Sequence, residues 1–383
     1  MSPAKKKATS TQPASLATPV DDAHVLVVTG SGGVGKTTVA AALGLAAADA
    51  GRRTLVLTID PARRLAQAMG IDELTDDPSK VDTDAEGELW AMMLDMQTTF
   101  DRLIDRHASS RSHAKAIKDN RIYRTLSSTL SGTQEYMAME RLHELHETGE
   151  WDLLIIDTPP SRSALDFLDA PKRMTSFLEG RLLRLLMKPG MAAGKRVGRA
   201  VNFGASTFMR VASRVTGMEL LDDLAQFFKN FEGMYQGFKE RAEQVLHLLQ
   251  EPSSQFVVVT SPEPPPLREA KFFLERLEQE GLHAAGVVIN RIRPEIPDEP
   301  DDDALTSAAD AQDDDAEGRA VAGALRLLHE VRNLGHRQRR DVNAALYGVS
   351  TSTRVEVPLL GGDVHDLSGL GEIATTLTGS STR

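Results

Sequence analysis

Eight consecutive residues, Gly30-Ser31-Gly32-Gly33-Val34-Gly35-Lys36-Thr37, have the composition of an anion cradle. Glycines let a backbone curl until successive N–H groups face one concavity. The lysine adds an ammonium and the threonine a hydroxyl. Their spacing fits G-x-x-x-x-G-K-[ST] in full. In that pattern the lysine reaches the β- and γ-phosphates of a nucleoside triphosphate and the hydroxyl binds Mg²⁺. Thr38 follows directly and joins the phosphate-facing set. The flanks agree. Val25–Thr29 is the short apolar run of a strand covered on both faces. The Ala-rich stretch Thr38–Ala50 reads as a helix, whose N-terminus aims roughly half a positive charge at the same place. A glycine-rich turn that matches by coincidence is the competing reading, and the strand and helix on either side argue against it.

Two aspartates stand where such a cradle needs carboxylates. Asp60 closes Thr58-Ile59-Asp60-Pro61-Ala62 at the end of an apolar run. Parallel sheets gather ligands at the carboxyl ends of their strands, and a carboxylate there can orient or deprotonate the water that attacks a γ-phosphate. The alternative is a cap for a helix over 62–69, because Asp is a good N-cap. Asp157 ends Leu153-Leu154-Ile155-Ile156 and precedes Thr158-Pro159-Pro160. A buried strand ending in Asp is the expected holder of Mg²⁺ through water; a second helix cap is again the alternative. The two prolines stiffen a segment able to sense the γ-phosphate.

The elements that must position these groups follow from periodicity. Apolar runs recur at Thr54–Ile59, Leu89–Leu94, Leu153–Ile156, Phe256–Thr260, Ala285–Ile289 and Arg354–Val357, with helical patterns between most of them. That alternation predicts an α/β fold, a doubly wound, mainly parallel sheet with helices on both faces. Residues 1–22, rich in Ala, Ser, Thr, Pro and Lys, read as a disordered tail. The core is expected over 23–171 and 250–383. A helical insert is expected over 172–249, and an acidic mobile loop over 297–318, which holds no Lys or Arg. The chain has 383 residues, 41% of them apolar, and a formal net charge of -11. That charge does not favour nucleic acid as a partner. With no cysteine, disulfides, thiolate metal sites and cysteine nucleophiles are excluded, which suits a reducing cytoplasm. Neither a signal peptide nor a run near the ~18 apolar residues of a membrane span is visible. The expected location is cytoplasmic, peripheral to a membrane only through a partner.

Taken together, Gly30–Thr38, Thr58-Ile59-Asp60-Pro61-Ala62, Asp157-Thr158-Pro159-Pro160, Thr260-Ser261-Pro262-Glu263 and Val288-Ile289-Asn290-Arg291 resemble the ArsA family of P-loop ATPases. That family includes arsenical-pump ATPases and the ATPases that target tail-anchored membrane proteins. The resemblance implies ATP and Mg²⁺ as cofactors, Asp60 and Lys36 as catalytic groups, and Thr37 and Asp157 at the metal. It implies further that Asn290 hydrogen-bonds adenine and that Pro358 packs near the ring. No N-K-x-D guanine-reading motif occurs, which favours ATP over GTP. Glu263 matches a family position; the residues themselves read it as a helix-start carboxylate. One departure is Ser31. The family loop usually carries lysine there, reaching across a dimer to the partner's nucleotide. The absence of cysteine also removes a zinc clasp and the thiols of arsenite-binding members.

These features lead to an ATPase that works as a homodimer, or as a heterodimer with a related subunit that retains the lysine, and handles a hydrophobic or membrane-protein client. The client surface would be the insert. Its apolar stripes include Met174, Phe177, Leu178 and Leu182, then Leu224, Phe227, Phe228 and Phe231. Residues 172–214 hold ten Lys or Arg against the single acid Glu179. Packing of those stripes into a core or a dimer contact is the plainer alternative. The basic cluster Arg332, Arg337, Arg339 and Arg340 reads as a solvated face or subunit contact. Two further functions compete: a nucleotide-gated regulatory subunit with weak turnover, which Ser31 favours, and a MinD/ParA-like positioning ATPase. The latter calls for a terminal membrane helix or a DNA-binding surface, and the polar tail Thr375–Arg383 supplies no such helix.

Overall fold

A computed structural model describes residues 15–60, 64–121, 123, 133–158, 235–295, 302–312, 315–349 and 353–379. The stripes of 174–187 and 220–231, and with them most of the expected insert, lie outside the described residues.

Each apolar run is a strand. In chain order they are β1 (Val25–Gly30), β2 (Arg53–Thr58), β3 (Ser79–Lys80), β4 (Glu88–Met93), β5 (Leu153–Asp157), β6 (Ser254–Thr260), β7 (His283–Ile292) and β8 (Arg354–Pro358). They form one sheet in the order β3-β4-β2-β5-β1-β6-β7-β8. Every pairing is parallel except β3 with β4. Only β3, two residues long, escaped the periodicity, being too short to show one.

Successive residues of a strand face opposite sides, and two cores result. Val25, Val27, Leu55, Leu57 and Ile156 pack on one side. Leu26, Val28, Val56 and Ile155 pack on the other. The second face is covered by α1 (Ala17–Asp22), α2 (Lys36–Asp49) and α3 (Arg64–Ala68), with the C-terminal helix Leu367–Thr378 beside α2. The first is covered by α4 (Met96–His107), α5 (Arg111–Lys118), α6 (Thr133–Thr148), α7 (Tyr235–Gln250) and α8 (Pro264–Gln279). Two more helices follow, α9 (Asp302–Asp310) and α10 (Ala316–Ala345), and the C-terminal helix is α11. Among the described residues no helix is long and apolar enough to cross a membrane.

Three boundaries differ from expectation. Order begins before residue 23: Leu16 and Val20 are fully buried, and the Leu16 N–H donates to Leu377 O at 2.8 Å. The polar composition of the tail as a whole hid this one i,i+4 apolar pair. Residues 235–249, assigned above to the insert, form a core helix packed on α6 and β6, with Val245 and Leu249 buried. Within the acidic block, residues 302–310 form a helix where a loop was expected. In α9 the charges of Asp302 and Asp303 sit in the first turn, where the helix dipole favours them, while Leu305 and Ala309 turn inward. Part of the basic cluster pairs within the chain, Arg332 Nη1 lying 3.6 Å from Asp302 and Arg339 Nε 3.1 Å from both Glu295 and Glu356.

Candidate functional site

The cradle lies between the carboxyl end of β1 and the start of α2. Its backbone demands glycine at two points. At Gly30 (φ 149°) a Cβ would stand 2.0 Å from Val259 O, and at Gly35 (φ 93°) one would stand 2.2 Å from Asn290 Nδ2. Gly35 is the N-cap of α2 in the left-handed region, so the chain enters the helix with its first amides turned toward the loop. Lys36 is 6% exposed. Its Nζ donates to Gly30 O at 3.0 Å and Ser31 O at 2.9 Å. Burial pushes its pKa down, while the charges of Asp157 and Asp60 oppose that.

Asp157 ends β5 with no exposure at all. Its Oδ2 accepts from Thr37 Oγ1 at 2.7 Å and from Thr58 Oγ1 at 2.9 Å. Burial pushes its pKa up to about 6, against the two threonine hydrogen bonds and the Lys36 charge. Oδ1 is buried without any partner. An orphaned carboxylate oxygen is costly, and a cation beside it would satisfy it. The donor set fits Mg²⁺, which takes one or two carboxylates plus phosphate and water oxygens. Among the described residues no group of three His, Asp or Glu converges on a metal. A fully protein-built cage is therefore not what these residues offer.

Asp60, at the end of β2, is 14% exposed in its side chain, and its Oδ2 is 3.9 Å from Arg64 Nη1. Its backbone N–H donates to Thr58 Oγ1 at 3.2 Å. Thr58, part of the Asp60 motif but given no role from the sequence, thus links the two aspartates: it accepts from one and donates to the other. The available signal was a polar β-branched residue closing an otherwise apolar strand two positions before Asp60. Residues 61–63 are outside the described set, which leaves the helix-cap alternative for Asp60 untouched.

Asn290 and Pro358 lie at the same edge of the sheet, at the ends of β7 and β8. Asn290 is 7% exposed, and its Nδ2 donates to Val34 O at 2.8 Å. Its neighbour Arg291, quoted in the same motif but given no role from the sequence, donates from Nη1 to Gly33 O at 3.1 Å. Pro358 pairs in register with Ile292. Glu263 is the N-cap of α8, without a side-chain cap bond. The structure brings Gly30–Thr38, Asp60, Asp157 and Asn290 together at the carboxyl ends of β1, β2, β5 and β7.

A mainly parallel sheet covered on both faces, with G-x-x-x-x-G-K-T between β1 and α2, defines the fold of the P-loop nucleoside triphosphatases. The family described as "Anion-transporting ATPase" matches residues 23–315. The chain belongs to this ArsA ATPase family. It is 25% identical over 279 residues to "Putative arsenical pump-driving ATPase 1" of Aquifex aeolicus, covering 71% of this chain and 64% of the other. Against "Putative arsenical pump-driving ATPase" of Prosthecochloris vibrioformis it is 27% identical over 155 residues, 40% of this chain and 36% of the other. Against "Uncharacterized protein SCO2128" of Streptomyces coelicolor it is 32% identical over 173 residues, 45% of this chain and 42% of the other. The chain thus spans less than two thirds of the length of each of these relatives.

Proposed function

We propose that this chain hydrolyses ATP with Mg²⁺ and uses the cycle to handle a hydrophobic or membrane-protein client. The observation that carries the proposal is Asp157, whose Oδ2 holds the Thr37 hydroxyl while its buried Oδ1 has no partner. Thr37 and Asp157 would hold the metal, and a bound Mg²⁺ supplies charge neutralisation on the β- and γ-phosphate oxygens. Lys36 trades its two loop carbonyls for phosphate oxygens, and its ammonium offsets charge developing on the transferred group. Asp60 orients the attacking water and takes up its proton. ATP binding and turnover should be measured for the purified chain, for Lys36→Ala and for Asp60→Asn. Lys36→Ala should lose binding, whereas Asp60→Asn should bind ATP yet turn over about 10²–10⁴ times more slowly. Hydrolysis untouched by Lys36→Ala would refute the proposal.

Ser31 supports a more specific form, a heterodimer in which a related subunit supplies the cation this loop lacks, or a regulatory subunit that turns over slowly alone. The Ser31 hydroxyl is buried with no partner, and a hydroxyl does not replace a charge. A cation supplied across a dimer is worth ~10³–10⁵ in rate. Ser31→Lys should therefore raise turnover of the isolated chain by orders of magnitude. Fast wild-type turnover, unchanged by that substitution, would remove the need for a partner subunit. The family includes proteins named for driving arsenical pumps. A chain without cysteine has no thiolate with which to ligate arsenite, so an apolar client is the better match. Nucleotide-dependent crosslinking of a hydrophobic peptide to residues 172–234 is expected; crosslinks indifferent to ATP would argue against it.

A further inference from the structure

Asn290 and Arg291 are neighbours in the chain, yet both side chains reach the same loop. In a regular strand they would point to opposite faces of the sheet. Here the pairing of β7 with β8 shifts register between Asn290 and Ile292. Arg291 adopts φ 61°, and among the described residues it is the one non-glycine with positive φ. A bulge of this kind re-aims a side chain. The turn is closed by the Arg291 N–H, which donates to Asn290 Oδ1 at 3.0 Å. Left-handed backbone is unfavourable for a residue with a Cβ, and it persists where the surroundings impose it, often at functional sites.

The carbonyls these side chains hold belong to Gly33 and Val34. A peptide unit is planar and trans, so its C=O and the following N–H point in opposite directions. Pinning Gly33 C=O outward turns the Val34 N–H the other way. Pinning Val34 C=O does the same for the Gly35 N–H. Those are amides of the phosphate cradle.

We infer that Asn290 and Arg291 are positioning residues that preset the phosphate loop for a polyphosphate, with the Arg291 guanidinium adding positive charge at its rim. This rests on the nucleotide-binding role proposed above and extends it to a residue outside the motif. The loop is tied from β7, two strands away from the β1 end that carries it. The phosphates then meet donors already aimed at them, which removes an ordering cost from binding. The arrangement also accounts for the bulge, because a regular β7 would turn one of the two side chains away.

The test compares the full-length wild type with Arg291→Gly, Arg291→Lys and Lys36→Ala. Two quantities are read: the melting temperature, and displacement of a fluorescent ATP analogue by ATP and by inorganic tripolyphosphate, with Mg²⁺ present. Arg291→Gly relieves the left-handed backbone, so its melting temperature should be equal to or above the wild-type value. Its affinity for ATP and for tripolyphosphate should nonetheless fall by about tenfold, the size of one charge-assisted hydrogen bond. Arg291→Lys should recover part of that loss. Opposite movement of stability and affinity is what a purely structural arginine would not give. Wild-type affinity in Arg291→Gly would overturn the inference. So would a loss seen with ATP but absent with tripolyphosphate, which would place Arg291 at the base instead of the loop. If the folded wild type displaced the analogue with neither ligand, or Lys36→Ala bound as tightly as wild type, the nucleotide-binding role itself would fail.

Discussion

At the scale of single residues, the site is governed by one buried carboxylate. The folded chain raises the Asp157 pKa to about 6, first through burial. A carboxyl whose pKa is raised on folding favours the protonated state. Its contribution to stability is fullest at acid pH and is lost as pH climbs from the unfolded value to about 6. Mg²⁺ needs the ionised form. Apparent affinity for Mg²⁺ with nucleotide should therefore rise with pH up to about 6 and flatten above it, as titration calorimetry from pH 5 to 8 would show. Asp157→Asn should abolish that pH dependence and weaken Mg²⁺ binding, while leaving the metal-free protein at pH 7 at least as stable as wild type. Thr58→Val tests the link between the aspartates. It preserves shape, removes one of two donors to Asp157 Oδ2, and leaves the Asp60 N–H without the hydroxyl it uses. A stability loss of about 1 kcal/mol is expected. The midpoint of the pH profile should also move upward, because a donor that favours the charged form has gone.

At the scale of elements, the strands were legible because being covered on both faces forces continuous apolar runs, and the placing of the candidate residues at one edge was legible because those runs end in Asp60, Asp157 and Asn290. What escaped has physical reasons. Helix α1 rests on Leu16, Pro19 and Val20, with Ala23 just beyond it, a small cluster lost in a polar average. Helix α9 looks like a charge run until Leu305 and Ala309 are read at helical spacing. Arg291 stood in a quoted motif without a role, because a bulge reverses the face a strand residue would otherwise take. The ordered N-terminal segment yields a direct prediction. Leu16 is fully buried against the C-terminal helix, and Arg52 donates to Val20 O at 2.5 Å and to Ala23 O at 2.7 Å. Leu16→Ala should cost about 2–4 kcal/mol in urea unfolding. A loss under about 0.5 kcal/mol, typical of an exposed position, would return residues 15–22 to the status of a tail.

At the scale of the whole molecule, the helices on either side of residues 159–234 are bolted together by buried charge. Glu140 on α6 is 3% exposed and Arg241 on α7 8%, and they meet at 2.7 Å. Arg241 also reaches Glu147 at 2.9 Å. Arg106 on α4 binds Glu144 at 2.7 Å, and Arg141 binds Glu144 at the same distance and Asp76 O at 3.0 Å. The chain leaves α6 through β5 and Asp157 and returns through α7 to β6. Burial raises the Glu140 pKa even with Arg241 pulling it down. Arg241→Met should therefore strand a buried anion and cost about 3–5 kcal/mol near neutral pH. The sign of its pH dependence follows. With its nearest cation gone and only Arg106 left, 3.9 Å away, Glu140 folds more readily when protonated, so the variant should be less destabilised at pH 5 than at pH 8. Adding Glu140→Leu removes the stranded charge, and the double variant should recover most of the loss, a coupling that a double-mutant cycle reads directly. Additive losses in that cycle, independent of pH, would mean that the two helices are held by their apolar faces and that the ion pair is incidental.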